Sequence, residues 1–254
     1  MKPYILQQTN WKQVKSENYE VALIPWGATE PHNYHLPYGT DTLETTRIAE
    51  TAAGKAWDRG TKVMVLPTIP FGVQNPGQIE IPFCLHVPPS TQRILFGDLV
   101  KALSNQGVKK IILLNGHGGN DFKPLIREVQ AEFNDVFLGL MEWFKLIEIA
   151  DHFDDAGDHA GEMETSLIQY LFPHLVLPLE EAGDGSSKAF KLKGLREKAA
   201  WTPRNWGKVS EDTGVGNPKK ATPEKGKKYF DAITDIISEF ITELAASDLN
   251  DLYE

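Results

Sequence analysis

Thr29 to Asp41 reads TEPHNYHLPYGTD and places Glu30, His32, His35 and Asp41 on one short stretch stiffened by Pro31 and Pro37. Imidazole and carboxylate donors at this density suit a borderline divalent ion such as Zn, Mn or Fe. Carboxylates can also bridge two such ions, and a two-metal site clamps the attacking and leaving atoms together. The prolines pre-set the backbone and reduce the entropy cost of assembling the donors. Two further stretches carry related chemistry. Asn115 to Asn120, NGHGGN, sets His117 between glycines, which let a backbone turn tightly and approach a ligand. Such a turn can also cradle phosphate at a helix N-terminus, but neither GxGxxG nor a P-loop is present. His159 to Ser166, HAGEMETS, puts His159, Glu162 and Glu164 at a helix start. The two glutamates can equally serve as helix-start carboxylates. They are two apart, so on a helix they diverge by about 200° and only one of them easily faces a site.

These stretches need a frame. Short apolar runs at Val21 to Pro25, Val63 to Leu66, Ile111 to Asn115 and Val136 to Leu140 read as buried strands. Helical spacing predicts helices over Leu43 to Asp58, with Asp41 or Thr42 as N-cap, and over Thr91 to Gln106, closed by Gly107. Further helices are expected over Phe122 to Phe133, Glu162 to Leu171 and Ala221 to Ala246. Strands alternate with helices, and the strands are continuously apolar. That pattern predicts an α/β fold, a mostly parallel sheet covered on both faces. In such sheets ligands bind beyond the carboxyl ends of the strands. The chemistry-bearing stretches follow the strands, as does PTIPFGVQNPGQ after the second, so they should converge on one rim. The Gly-, Ser- and Lys-rich stretch from Glu180 to Asn217 holds Trp201 and Trp206 and reads as a long functional loop.

Of the 254 residues 41% are hydrophobic and 24% charged, and the formal net charge is −9. The acidic balance argues against nucleic acid as a partner, because phosphate contacts need a Lys/Arg surplus. The basic cluster from Lys225 to Tyr229 reads as a solvated helix face. Cys84 is the single cysteine, so no disulfide can form within the chain, and its apolar run makes it a buried, inert thiol. No signal-peptide pattern and no apolar stretch of membrane-spanning length is seen, so a cytoplasmic protein away from membranes is expected. With no charge run or internal repeat to divide it, residues 1–254 read as one domain.

EPHNYHLPYGTD, NGHGGN and HAGEMETS, in that order, resemble the creatininase (creatinine amidohydrolase) family, and TGVGNPKKATPEKG from Thr213 to Gly226 resembles its tail. The resemblance implies a three-layer α/β/α sandwich, a hexameric homo-oligomer and a two-metal hydrolase. The bonds it would cleave are C–N bonds of small cyclic amides, formamides or peptides. It implies Glu30, His32, Asp41 and His117 as metal ligands with Asp41 bridging, and Glu164 of the ETS triplet as the fifth. His159 would pass a proton to the leaving nitrogen, or Glu162 if that residue faces inward. His35 would hold a ligand in place or, failing that, form a wall of the pocket. Asn33, where the family usually has Gly, would narrow the pocket or add a hydrogen bond to it, and Gly118, Gly119 and Asn120 would border the site. Creatininases themselves resemble NGHYEN in the second motif and carry a Trp shortly before the HAG histidine. Here Gly118 and Gly119, and DDAGD from Asp154 to Asp158, stand at those places, which argues against creatinine. The alternative is an inactive binding or scaffold protein that keeps the family's fold.

Overall fold

Every residue of Val21–Trp26 (β1) is buried, as expected of a strand with neighbours on both sides and cover on both faces. Val63–Val65 (β2) pairs along one edge of it and Lys110–Asn115 (β3) along the other, and Phe137–Glu142 (β4) extends the sheet beyond β3. All pairings are parallel, in the order β2-β1-β3-β4. Trp26 lies opposite Asn115, and Asn115 opposite Glu142, so the chain leaves three strands at one level. The computed structural model describes residues 2–155 and 157–254, and among them no helix is long and apolar enough to cross a membrane.

Alternate strand residues feed two separate cores, the result of the two-residue side-chain period. Val21, Leu23, Ile112 and Leu114 join Ile48, Ala49, Ala52 and Ala53 of Thr40–Asp58 (α1) in one cluster. Leu167 of the Glu162–Leu171 helix and Tyr229, Ile233 and Ile237 of the Pro223–Ala246 helix complete it. On the other face Ala22, Ile24, Ile111 and Leu113 pack with Phe96 and Val100 of Pro89–Asn105 (α2). Phe122, Leu125 and Val129 of Phe122–Glu132 (α3) close that layer. The result is the expected α/β/α sandwich. In chain order Glu162–Leu171 is α4 and Pro223–Ala246 is α5.

Several expected boundaries move by one to three residues, and two of these shifts have clear local reasons. α1 begins at Thr40 with Gly39 at the N-cap, so neither Asp41 nor Thr42 caps it. The Thr40 hydroxyl and N–H both bond to the Pro37 carbonyl, and that turn starts the helix early. Asp41 therefore sits in the first turn, with its carboxylate free for another use. β4 runs two residues past the expected end, because pairing with β3 continues to Glu142.

Gly226 on α5 lies against α4 with no room for a side chain. A Cβ there would come 2.0 Å from the Ser166 carbonyl oxygen and 2.9 Å from the Leu167 nitrogen, both backbone atoms. Alanine is favoured over glycine within a helix by roughly 1 kcal/mol. Overpacking against backbone costs about 3 kcal/mol, so the clash wins. Gly226→Ala should thus lower the melting temperature by roughly 4–8 °C in a chain of this size, measured by thermal unfolding. An unchanged or raised midpoint would contradict this packing.

Candidate active site

The loop after β1 carries Glu30 and His32, the first turn of α1 carries Asp41, the turn after β3 carries His117, and α4 carries Glu164. The fold brings all five together. Donor atoms of Glu30, Asp41 and His117 lie within 4.8 Å of one another, as do those of His32, Asp41 and Glu164. Asp41 belongs to both groups. Its Oδ1 is 2.9 Å from His32 Nε2 and its Oδ2 is 2.9 Å from His117 Nδ1. His117 Nδ1 is also 3.0 Å from Glu30 Oε1, and Glu164 Oε1 is 3.9 Å from His32 Nε2. His159 stacks beside His32 with ring centroids 4.2 Å apart, and its Nδ1 is 3.7 Å from Glu30 Oε1.

Each imidazole is fixed by a backbone carbonyl at its far nitrogen. His32 Nδ1 bonds to the Glu30 carbonyl at 3.1 Å, His117 Nε2 to the Val73 carbonyl at 2.8 Å, and His159 Nε2 to the Pro31 carbonyl at 2.8 Å. A carbonyl only accepts, so those nitrogens carry the hydrogens. In the neutral rings the other nitrogens then present lone pairs to the cluster, as metal-binding histidines do. The carboxylates are held likewise: Gln78 donates to Glu30 Oε2, and the Ala160 N–H donates to Glu164 Oε2.

The electrostatics ask for positive charge. Glu30, Asp41 and Glu164 converge with no Lys or Arg paired to them among the described residues. Burial opposes protonation of His32, yet Asp41, with Glu164 and Glu30, together outweigh it and hold the His32 pKa up at about 10. His117 is held well above the ordinary range against burial, mainly by Glu30. Burial would raise the Asp41 pKa, but His32 and His117 keep it below the usual carboxylate range. Burial lifts the Glu164 carboxyl above its usual value. The donor set therefore fits divalent cations, which would supply the charge that protons on two imidazoles otherwise provide.

Several expected roles change. Glu162 does not face the cluster. Its Oε2 accepts the N–H groups of Asp154 and Asp155 at 2.9 Å each, and its Oε1 is paired with Lys225. The roughly 200° divergence on α4 turns Glu164 toward the cluster and the buried Glu162 away from it. This corrects Glu162 as a proton carrier and gives Lys225 a structural partner. His35 holds no ligand. Its Nε2 bonds to the Thr165 hydroxyl at 2.8 Å, and burial, with the His32 charge, pulls its pKa down to about 4. Asn33 adds nothing to the pocket. Its φ of 55° lies in the left-handed region where Gly and Asn are favoured. Its side chain clamps the Gly183 N–H and carbonyl, tying the first loop to the long segment.

The bordering residues divide. A Cβ on Gly118 would meet nothing, whereas on Gly119 it would come 2.3 Å from the Val73 carbonyl and 2.5 Å from His117 Nε2. Only Gly119 is required by close approach. Asn120 braces the turn: its Oδ1 accepts from the Val73 N–H and Gln92, and its Nδ2 donates to Asn115. Trp206 is buried, packs perpendicular to the His159 ring with centroids 5.3 Å apart, and donates to the Thr213 carbonyl. Trp201 is 84% exposed. Sequence reasoning missed Gln78, whose only signal was its place after β2. It also missed Glu44, a fully buried carboxyl without a hydrogen-bond partner among the described residues, pushed well above its usual pKa by burial and then by Glu164 and Asp41. A cavity of about 460 Å³ opens over the cluster, bordered by Glu30, Asp41, His117, His159 and Glu164.

The family model for creatininase, described as creatinine amidohydrolase, matches residues 7–241. A candidate creatinine amidohydrolase from Bacteroides fragilis, known from a crystal structure, is 46% identical with a TM-score of 0.94 and covers 100% of both chains. The 3-dehydro-scyllo-inosose hydrolase of Thermotoga maritima is 27% identical over 94% of this chain and 82% of its own. The mycofactocin precursor peptide peptidase of Mycobacterium ulcerans is 27% identical over 84% of this chain and 81% of its own. Creatininase structures in a Zn–Zn form and an Mn form share the fold with TM-scores of 0.78, at 21% and 20% identity over 97% and 96% of this chain and 100% and 99% of theirs. With the family model covering most of the sequence and the motif residues gathered at one end of the sheet, the chain belongs to the creatininase family of hydrolases.

Proposed function

We propose that this protein is a two-metal amidohydrolase that cleaves a C–N bond of a small cyclic amide, a formamide or a short peptide. The observation that carries this reading is Asp41, whose two oxygens face separate donor groups. Glu30, Asp41 and His117 would hold one ion, and His32, Asp41 and Glu164 the other. Zn, Mn and Fe all suit imidazole and carboxylate donors. When bound, such ions acidify a water near neutral pH and polarise the carbonyl.

The chain's own residues do the rest. His159 takes up the water's proton at Nδ1 and returns it to the leaving nitrogen, while the Pro31 carbonyl keeps the ring in the tautomer this needs. Trp206, packed perpendicular to the His159 ring, shields it from solvent. Glu164 and Glu30, each braced by one donor at Oε2, keep their Oε1 atoms turned toward the cluster, where they would serve as ligands. Creatinine is disfavoured as substrate by Gly118, Gly119 and the absence of a Trp between Asp154 and Asp158. We further read the whole chain as one cytoplasmic domain that self-associates. The 71–85 segment supports association, exposing Phe71, Ile79, Phe83 and Leu85, with Phe83 at 84%.

Elemental analysis of protein purified without chelator should find about two transition-metal ions per chain, as a two-metal site requires. The loaded protein should then hydrolyse a member of a panel of cyclic amides, formamides and short peptides. Less than one ion per chain, or full loading with no hydrolysis across the panel, would favour the scaffold alternative.

A further inference from the structure

The segment from Trp201 to Trp206 forms one wall of the cavity, with Trp201, Thr202, Pro203, Arg204 and Trp206 bordering it. Arg204 is the unusual member. Its guanidinium carbon sits 4.6 Å from the Trp206 ring, and one terminal nitrogen donates to the Asp158 carboxylate. A guanidinium offers five N–H donors and no acceptor. Asp158 takes a single contact, and no other acceptor reaches the group among the described residues. The fork is thus held in place by stacking and one ion pair, with most of its donors unused beside an open cavity. Such a group is pre-organised for a planar carboxylate, because little freedom is lost when the ligand arrives.

The surrounding charges agree. Lys123 also borders the cavity and makes no ion pair among the described residues, whereas Lys145 is paired with Glu142 at 2.9 Å. Asp121 borders the same space without pairing to Arg204 or Lys123. An unpaired Lys123 beside the unused donors of Arg204 is not a consequence of composition, since the chain carries a net charge of −9. Arg204 also lies close to the chemistry. Trp206 under it touches His159, and its partner Asp158 is the residue before His159. A ligand whose amide rests on the cluster could reach Arg204 with a group only a few bonds away.

We infer that Arg204 recognises a carboxylate on the substrate, so that the amide cleaved belongs to a small amide-acid. Lys123 adds attraction for the same charge. This rests on the two-metal hydrolase reading of the cluster and narrows its substrate class.

Hydroxamates, which anchor on metal ions, separate the two ideas by calorimetry on the Zn-loaded protein. The probes are the monohydroxamates of succinic and glutaric acid and their methyl-ended counterparts of equal length. The acid-ended probes should bind roughly tenfold to hundredfold tighter, the worth of a charge-assisted hydrogen bond. Arg204→Gln should bring that ratio close to one, and Arg204→Lys should keep only part of it, because an ammonium lacks the fork. Equal binding of the two probe types by the native protein would overturn the inference. So would a ratio unchanged in Arg204→Gln, even with both affinities weakened, because Arg204 would then only support the wall. If no hydroxamate of either type binds, the metal-site reading itself fails and the inference falls with it.

Discussion

Asp41→Ala should strip both ions from the cluster and reduce any amide hydrolysis by about a thousandfold or more. The side chain has one oxygen 2.9 Å from His32 Nε2 and the other 2.9 Å from His117 Nδ1, and among the described residues it alone belongs to both groups. A bound metal contributes several kcal/mol to stabilising developing charge, and each 1.36 kcal/mol is tenfold in rate. Elemental analysis and hydrolysis assays on native and variant protein check both halves. The fold should survive, because α1 is anchored by Ile48, Ala49, Ala52, Ala53 and Ala56 rather than by its first turn. Circular dichroism would show that. A variant that kept full metal content and activity would end the bridging role.

His159→Ala should do the reverse, keeping the ions and losing the chemistry. His159 forms a third possible donor group with Glu30 and His32, its Nδ1 3.7 Å from Glu30 Oε1, but its loss leaves Glu30, Asp41 and His117 as one group and His32, Asp41 and Glu164 as another. A positioned acid–base group contributes roughly 10²- to 10⁴-fold to rate. The expected result is a fall in kcat of that order, with metal content near the native value. Activity within a few-fold of native would remove His159 from proton transfer. A variant that lost metal as well would make it a ligand, with Glu30 and His32, rather than a proton carrier.

The frame was legible because it rests on local regularities. β1 and β3 read as continuous apolar runs, and continuous apolar runs separated by helices specify a buried parallel sheet. α4 came out at the expected residues because Pro173 and the apolar spacing bound it on one side and the acidic start on the other. The beginning of α1 was misjudged, because a bond from Thr40 to the Pro37 carbonyl outcompeted side-chain capping. No propensity rule weighs that single contact.

The sequence by itself determined which donors the protein owns and that they follow the strands: Glu30, His32 and Asp41 after β1, His117 after β3, His159 and Glu164 at the start of α4. Tertiary structure alone decided which way each of them faces. Glu162 and Glu164 are the same residue type two positions apart, and only the placement of α4 against Lys225 on one side and His32 on the other assigns one to structure and one to the site. His35 is as good a ligand in sequence as His32, yet it faces Thr165. The carbonyls of Glu30, Val73 and Pro31 that fix the three imidazoles belong to residues of any type. Arg204 meets the cavity only because the long loop folds back over it. Residue type carries the chemistry a group can perform, while distance and orientation between segments far apart in the chain decide whether it does so. Those are set by packing across the whole sandwich, which no local pattern encodes.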